Sequence, residues 1–520
     1  MKGGARAEAA LGPSDGVDPG GTTREKRRPI ERQALSLWTA NAIDYGLQFL
    51  LPVVLARTLD VADFGRYRLL WLAVATVMAL VPLAMPYSLY YFLPRSDAAA
   101  KRLYINQTLI FLAVTGSIAA WFISPWNPWL PQSMRGLSGH AALVPSFVAL
   151  WAVASLLDLL PTVDERVHWQ ARATVGLSAL RAGALSAAAL ATGELEAVLA
   201  VLLAFVAIKV ALLFAYVQRY HGLGRPVARR AAFADQVRYA APFGVSSALH
   251  GLRGQADGWV AATLFSIHQF AAFSIAGVLG PMLTMCRQSF NYAFLPTMSR
   301  LQAGGDIAGM LALNNRANMI VAAVSFPLIA FAFVFAEPLI AAVYTAAYAD
   351  AVPVMRFSCL ANVAFVIELH SILLVFRQGP YAMRVNFLAL ALGVPCSLAG
   401  ALFVGLPGAA AGSVAAIYAE RAMTLVRVSS LTGVAVHRLQ EWGALGAVLA
   451  AAIGSAAVAG EVVARVGGDH WHLAQLAEGA AVIALVYPIL LVVAGQRRLL
   501  FDLVGLLLRE KRPMAKPQPE

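Results

Sequence analysis

Apolar runs of about 20 residues alternate with short polar segments from Leu35 to Gly495. Each run is long enough to cross a hydrocarbon layer of roughly 30 Å as a helix. Turn residues and charges separate fourteen candidate spans, with predicted limits at 35–56, 69–93, 105–124, 141–161, 173–192, 197–217, 239–264, 270–296, 317–336, 354–376, 384–404, 408–429, 441–460 and 474–495. The pattern therefore predicts an all-α polytopic membrane protein with about 14 transmembrane helices.

Composition and charge placement agree with this prediction. The 520 residues are 59% hydrophobic and only 13% charged, whereas soluble domains carry about 25% charged residues. With the N-terminus in the cytoplasm, 30 of the 40 lysines and arginines fall in cytoplasmic segments and six on the opposite side. This bias follows the positive-inside rule and explains the net charge of +12 without nucleic acid. Both termini are predicted to be cytoplasmic.

A weak internal repeat divides the chain. The segment ADFGRYRLL at 62–70 matches HQFAAFSIA at 268–276, and FLPR at 92–95 matches FLP at 294–296. Each half would hold six spans, an even number, so the halves are predicted to be parallel repeats with a transport site between them. The predicted organisation is a disordered basic cytoplasmic tail (1–33), an N-terminal six-helix bundle (34–217), a basic cytoplasmic linker (218–238), a C-terminal six-helix bundle (239–436), two additional transmembrane helices (437–496) and a basic cytoplasmic tail (497–520).

Two stretches carry a family resemblance. LARTLDVADFGRYRLL (55–70) and YTAAYADAVPVMRF (344–357) resemble segments of the O-antigen and exopolysaccharide flippases (Wzx-type). That family belongs to the multidrug/oligosaccharidyl-lipid/polysaccharide exporter superfamily, with the MATE drug exporters and the lipid II flippases. The resemblance implies a MATE-like fold in the bacterial inner membrane. It also implies alternating-access transport of a polyprenyl-pyrophosphate-linked oligosaccharide, with membrane lipid and a coupling ion (proton or sodium) as further partners.

Polar residues inside the apolar runs are the candidate site. In LHGLRGQADGW (249–259), His250, Arg253 and Asp257 lie within about 60° of one another on a helix. Arg253 and Asp257 are four residues apart, a spacing at which they can pair and reduce the desolvation penalty of each. The first span presents a similar polar face. Because charges at mid-bilayer cost about 2.5–3.5 kcal/mol, such residues usually face a cavity or a partner.

Pyrophosphate is anionic and binds guanidinium groups well, so basic and amide residues are predicted to bind substrate. These residues are Arg253, Arg287, Arg181, Lys209, Asn41 and Gln48. Titratable residues are predicted to couple or gate the movement. These are Asp44, His250, Asp257, Glu368 and His370. Asp158, Glu420 and Arg421 lie nearer the cytoplasmic ends and are predicted to extend toward water.

Other functions remain open at this stage. All intramembrane charges could be structural ion pairs, and the transporter could carry drugs or lipid II. A membrane glycosyltransferase or polymerase is a further alternative, because Asp60 and Asp63 give an acidic pair in an outer loop. No lysine follows a glycine, so the phosphate loop of ATP-driven pumps is absent. We expect a protein that is not an enzyme, with no cofactor and no metal site.

Overall fold

The computed structural model describes residues 22–128, 134–137, 142–222, 224, 226–277, 279–466 and 471–501. These residues form α-helices joined by turns and short 3-10 helices, and no β-strand occurs in the described ranges. The helices are α1 (Thr22–Thr58), α2 (Val61–Leu80), α3 (Met85–Phe92), α4 (Ala98–Ile123), α5 (Leu143–Ala154), α6 (Leu160–Val163), α7 (Val167–Thr192), α8 (Leu195–Tyr220), α9 (Arg230–Leu264), α10 (Ile267–Ala276), α11 (Leu279–Ala303), α12 (Ile307–Val334), α13 (Ala336–Val343), α14 (Ala351–Phe365), α15 (His370–Val375), α16 (Gly379–Val404), α17 (Ala411–Thr432), α18 (Val436–Leu439), α19 (Trp442–Val466) and α20 (His472–Val493). The predicted all-α class is confirmed.

Every predicted span falls on a helix or on consecutive helices. Within the described residues, nine helices are long and apolar enough to cross a membrane, or ten if α2 and α3 form one bent span. The remaining predicted spans correspond to α9, α10 with α11, α14 with α15, and α17. These helices are interrupted or contain several charged side chains, which lowers their hydropathy. The count of fourteen stays a prediction.

Proline bends the second predicted span, as its sequence indicates. The axes of α2 and α3 meet at 43°, directly after Pro82 and before Pro86. Proline lacks the N–H that would continue the helical hydrogen bonds, so the chain turns there. Leu83 and Ala84 adopt positive φ angles of 42° and 57° in the break.

Four helix boundaries share the offset of the predicted repeat, which stays a prediction. α1 ends at Thr58 and α2 follows the N-cap Asp60, while α9 ends at Leu264 and α10 follows the N-cap Ser266. These positions share the 206-residue separation of Arg68 and Ser274, which are hydrogen-bonded to each other. α2 therefore packs against α10, its counterpart in the predicted repeat. We refer to α1–α8 as the first half and α9–α17 as the second half.

Some predicted boundaries are wrong. α1 begins at Thr22, inside the predicted tail 1–33, and α9 begins at Arg230, inside the predicted linker 218–238. Hydropathy detects only the apolar part of a helix. Lysine, arginine and glutamate have high helix propensity, so a helix can continue into the polar segments beside an apolar run. Residues 1–21 of the N-terminal tail and 502–520 of the C-terminal tail lie outside the described residues.

Buried amides hold the linker against the first half. The Asn106 side-chain amide donates to the carbonyl oxygens of Gly224 and Pro226, at 3.1 and 3.2 Å. The fully buried Gln236 donates to Thr108 Oγ1 at 2.9 Å. Burying polar groups is favourable only where they are paired. The linker is therefore bound to α4 rather than merely spanning the two halves.

Candidate functional site

A cavity of about 810 Å³ lies between the two halves and is called the central cavity. Helices α1, α2 and α7 line one side, and α9, α10, α14 and α17 contribute to the other. Its polar lining includes Gln48, Tyr67, Arg68, Trp71, Arg181, Gln255, Asp257, Ser358, Asn362 and Ser413. Two arginines and one carboxylate are the charged members of this set, so the described lining has a net positive charge.

Arg68 enters the central cavity from the second turn of α2. Asp60 starts this helix by accepting a hydrogen bond from the Ala62 amide at 3.0 Å. The Arg68 guanidinium donates to Ser274 through Nε (to Oγ, 3.1 Å) and Nη2 (to the carbonyl, 2.9 Å). No carboxylate pairs with Arg68 among the described residues. Serine orients this cation without neutralising it, which leaves its charge available to an anion.

Arg181 lines the central cavity from α7 with a loosely held partner. Its Nη2 lies 3.9 Å from Asp44 Oδ1, and its guanidinium carbon lies 6.0 Å from the Trp71 ring centroid. Arg181 Nε is buried and has no hydrogen-bond partner among the residues that the structure describes. Asp44 also accepts hydrogen bonds from Gln48 (2.6 Å) and Ser178. The carboxylate is therefore held by neutral donors, and Arg181 is only partly engaged.

Asp257 binds a helix terminus instead of Arg253, with which its spacing allows a pair. Asp257 Oδ2 accepts from the Ser413 amide in the first turn of α17, at 2.8 Å. An ideal Cβ on Gly412 would stand 2.5 Å from Asp257 Oδ1, so glycine allows this approach. Helix N-termini present free N–H groups and attract carboxylates. This interaction takes Asp257 away from the local arginine.

Arg253 belongs instead to the second-half cluster, which consists of Arg253, Arg287, Glu368, Glu420 and Arg421. Arg253 Nη1 donates to Glu420 on α17, and Arg421 Nη1 lies 3.3 Å from the same carboxylate. Arg287 Nη1 donates to Glu368. None of these residues belongs to the lining of the central cavity. The prediction that Arg253 and Arg287 face this cavity is therefore not supported by their positions.

Glu368 occupies a break in the predicted tenth span. α14 ends at Phe365 and α15 begins at His370. Glu368 accepts hydrogen bonds from the His370 and Ser371 amides, at 2.7 and 3.2 Å, while Asn318 pairs with both its N–H and its carbonyl. Irregular backbone inside a membrane requires such protein partners.

Lys209 pairs with Asp158 at 2.8 Å and faces a smaller cavity of about 160 Å³. This cavity also contains Asp44, Ser178 and Arg181, and these five residues form the first-half cluster. Gln48 and Arg181 line both cavities. The first-half cluster therefore adjoins the central cavity, whereas Lys209 itself does not reach it.

The remaining predicted site residues lie away from the central cavity. Asn41, His250 and His370 are exposed and absent from its lining. The acids that suggested an enzyme have local structural partners. Asp60 caps α2, and Asp63 pairs with Arg66 at 2.5 Å.

Sequence reasoning missed Arg68, Glu420 and Arg421. Arg68 immediately precedes the predicted span 69–93, so hydropathy places it outside the membrane-spanning run. Glu420 and Arg421 were expected to extend toward water, yet their side chains are only 13% and 6% exposed. One feature of the sequence indicates their burial: Glu420 and Arg421 are adjacent residues of opposite charge within an apolar helix.

Comparisons with known proteins agree with this architecture. Residues 30–302, more than half of the chain, match the model of a family described as "Polysaccharide biosynthesis protein". No curated protein matches the sequence.

Solved structures share the fold at low identity. The lipid II flippase MurJ in an inward closed conformation has a TM-score of 0.61 at 11% identity, covering 88% of this chain and 98% of that one. An inward-facing multidrug resistance MATE family transporter of the MOP superfamily has a TM-score of 0.56 at 12% identity, with 74% and 95% covered. A MATE in complex with MaL6 has a TM-score of 0.51 at 13% identity, with 77% and 97% covered. The chain is thus a multi-pass membrane protein with the MurJ and MATE fold, and it belongs to the polysaccharide biosynthesis protein family.

Proposed function

We propose that the protein is a flippase that moves a polyprenyl-pyrophosphate-linked oligosaccharide, an O-antigen or exopolysaccharide unit, across the bacterial inner membrane. The observation that carries this proposal is the pair Arg68 and Arg181 in a cavity between the two halves. The family description, which concerns polysaccharide biosynthesis, supports it. The volume of about 810 Å³ lies in the range of small-molecule sites and accommodates a pyrophosphate with its first sugars.

The two arginines suit pyrophosphate by charge and geometry. Pyrophosphate carries about two negative charges, and a guanidinium binds phosphate oxygens through two parallel hydrogen bonds. Arg68 is already oriented by Ser274. Tyr67 and Trp71 offer ring surfaces nearby, and Gln48, Gln255 and Asn362 offer amides that sugar hydroxyls can pair with.

Anion binding would rearrange the first-half cluster. A pyrophosphate on Arg181 would replace Asp44 as its counter-charge, because the two groups are 3.9 Å apart and share no close hydrogen bond. The released Asp44 could then accept a proton or a sodium ion. Asp257, on the opposite wall, is the second coupling candidate. Substrate and ion would in this way bias the same conformational equilibrium.

We further propose that residues 34–217 and 239–436 move as two bundles, opening the central cavity to each side in turn. Residues 437–496 would form two added helices, and both termini would be cytoplasmic. The chain would act without a cofactor, and the positive lining argues against a cationic drug as the cargo. Glycosyl transfer is disfavoured by the structural roles of Asp60 and Asp63.

The test is export by Arg68→Ala and Arg181→Ala variants, measured as surface polysaccharide at matched protein level and as flipping of a labelled lipid-linked sugar in proteoliposomes. We expect a loss of at least about tenfold for each, because one charge-assisted hydrogen bond contributes roughly 1.5–3 kcal/mol. Arg68→Lys should retain part of the activity, because the lysine ammonium keeps the positive charge but cannot form the two parallel hydrogen bonds of a guanidinium.

Arg465→Ala is the matched control, because this arginine is exposed and pairs with Glu461 on its own helix. Full export by both cavity variants contradicts the proposed site. The same vesicles loaded with lipid II or a cationic dye separate the alternatives: transport of those cargoes, without transport of lipid-linked polysaccharide units, would assign a different substrate.

A further inference from the structure

Three arginines share a further cavity that the proposed transport route does not use. This cavity, called the basic groove, measures about 440 Å³ and is lined by Arg377, Gln378, Pro380, Tyr381, Arg384 and Arg427. It has no lining residue in common with the central cavity. Half of its lining residues are cationic and none is acidic. A groove of this composition attracts anions.

Arg427 is held in place across the groove by neutral groups. Its Nε and Nη2 both donate to Gln378 Oε1, at 3.2 and 2.7 Å. Its guanidinium carbon lies 5.2 Å from the ring centroid of Tyr381, whose hydroxyl is fixed by the Met423 carbonyl. These contacts orient Arg427, and no carboxylate pairs with it in the part of the chain that the structure describes. Such an arrangement is expected where the counter-charge comes from a ligand.

Arg377 and Arg384 provide the other two positive charges of the basic groove. Both are exposed, and no carboxylate pairs with either among the described residues. The 26-residue helix α16 begins between them, at Gly379, with no acidic residue in its first turn. The positive end of this helix dipole therefore adds to the field of the three guanidiniums.

The backbone at Arg377 is in an unfavourable conformation. Its φ angle is +54°, a left-handed region that glycine adopts freely and residues with a Cβ avoid. Strained residues of this kind concentrate at binding sites. Glycine would fit this backbone conformation better than arginine does. The presence of arginine at position 377 is therefore better explained by a role of its guanidinium group.

Exposed apolar side chains lie within four residues of the groove arginines in the sequence. Met383 and Phe387 on α16 and Leu374 on α15 are 37%, 56% and 58% exposed. Phe387 follows Arg384 by three residues, which places both on one face of α16. A ligand that bridges these features has a phosphate at one end and a hydrocarbon chain at the other.

We propose that the basic groove binds the phosphate of an anionic membrane lipid, whose acyl chain lies along Met383 and Phe387. The positive-inside rule places the groove in the cytoplasmic leaflet. The proposal does not depend on the transported cargo. A soluble phosphate ester has the same headgroup chemistry but makes no use of these apolar side chains.

Native mass spectrometry of the purified full chain tests the proposal, with phosphatidylglycerol and phosphatidylcholine of identical acyl chains as probes. Wild type should retain phosphatidylglycerol preferentially. Arg384→Gln should weaken its binding about fivefold, the effect of one basic residue at a membrane surface, and the triple change of Arg377, Arg384 and Arg427 to Gln should abolish the preference. Arg438→Gln is the control, since Arg438 is exposed and lies outside the groove. A preference that survives the triple change, or an equal loss in the control, overturns the proposal.

Arg377→Gly separates binding from folding. Glycine relieves the backbone at φ +54°, so the thermal unfolding midpoint should rise while phosphatidylglycerol affinity falls about fivefold. Unchanged affinity contradicts the role of Arg377. Competition with millimolar glycerol 3-phosphate identifies the source of the phosphate: bound lipid should persist, and displacement by the soluble ester would overturn the lipid assignment.

Discussion

The two halves use corresponding helices but treat their internal charges differently. In the first half, Lys209 on α8 pairs with Asp158, whose side chain is 59% exposed. In the second half, Arg421 on the corresponding helix α17 shares Glu420 with Arg253, and all three side chains are at most 13% exposed. The first pair has one exposed member, Asp158, and one buried member, Lys209, whereas every member of the second network is nearly buried.

The difference in exposure affects how easily the charged side chains can change partners. A partly solvated pair can exchange partners at little cost, because water replaces the lost contact. A closed network cannot, since removing one member leaves a buried charge without compensation. The first-half cluster also adjoins the central cavity through Gln48 and Arg181. Substrate-linked rearrangement is therefore expected in the first half, with the second half as a stable frame.

The largest expected effect is that of Glu420→Ala. This change leaves Arg253 and Arg421 both without a carboxylate in a dry environment, and breaking a buried pair costs about 3–5 kcal/mol. Thermal unfolding and membrane protein level should both fall sharply. Glu461→Ala, which removes an exposed partner of Arg465, is the control and should cost at most about 1 kcal/mol. Equal shifts in the two variants would remove the distinction between the halves.

A smaller effect should identify the partner of Arg253. Double-mutant cycles with alanine should give a coupling energy of about 1–3 kcal/mol between Arg253 and Glu420. The cycle between Arg253 and Asp257 should give less than about 0.5 kcal/mol, because Asp257 bonds to the Ser413 amide instead. Unfolding midpoints of the single and double variants provide the measurement. A stronger coupling to Asp257 would restore the local pairing that the sequence suggested.

The smallest effect is expected for Asp158→Ala. Lys209 would keep the Trp151 ring, at 5.0 Å from its centroid, and a cavity of about 160 Å³ that can admit water. The lost carboxylate is 59% exposed but Lys209 is only 7% exposed, so with these substitute contacts we expect a cost of about 1 kcal/mol, the lower end of the range for a buried donor that loses its partner. Thermal unfolding of the variant checks this value. A loss as large as that of Glu420→Ala would show that the first-half cluster is as rigid as the second.

The helical framework was predictable because its causes are local. A chain segment in hydrocarbon must satisfy its own backbone hydrogen bonds, so a long apolar run implies a helix. The Pro82 bend has an equally local cause. The breaks near Glu368 did not show in the sequence, since the partner that stabilises them, Asn318, lies 50 residues away.

The sequence predicted which kinds of side chain form the candidate site, but it predicted correctly only some of the positions that line the central cavity. Gln48, Arg181 and Asp257 were chosen from sequence and do line the central cavity, whereas Arg253, Arg287 and Lys209 do not. Arg68 was overlooked, because an arginine at the edge of a span can face water as easily as a cavity. Its direction depends on how α2 packs on α10, and no local pattern contains that information.

The sequence by itself determined that this chain crosses the membrane repeatedly and carries charges within its apolar helices that need partners. Those properties follow from hydrophobicity and spacing, which act within one helix. Tertiary structure alone decided the partners. Arg253 and Asp257 are one helical turn apart, yet each bonds to α17, at Glu420 and at Ser413. Electrostatic energy in a low-dielectric interior depends on distances between helices, and packing sets those distances.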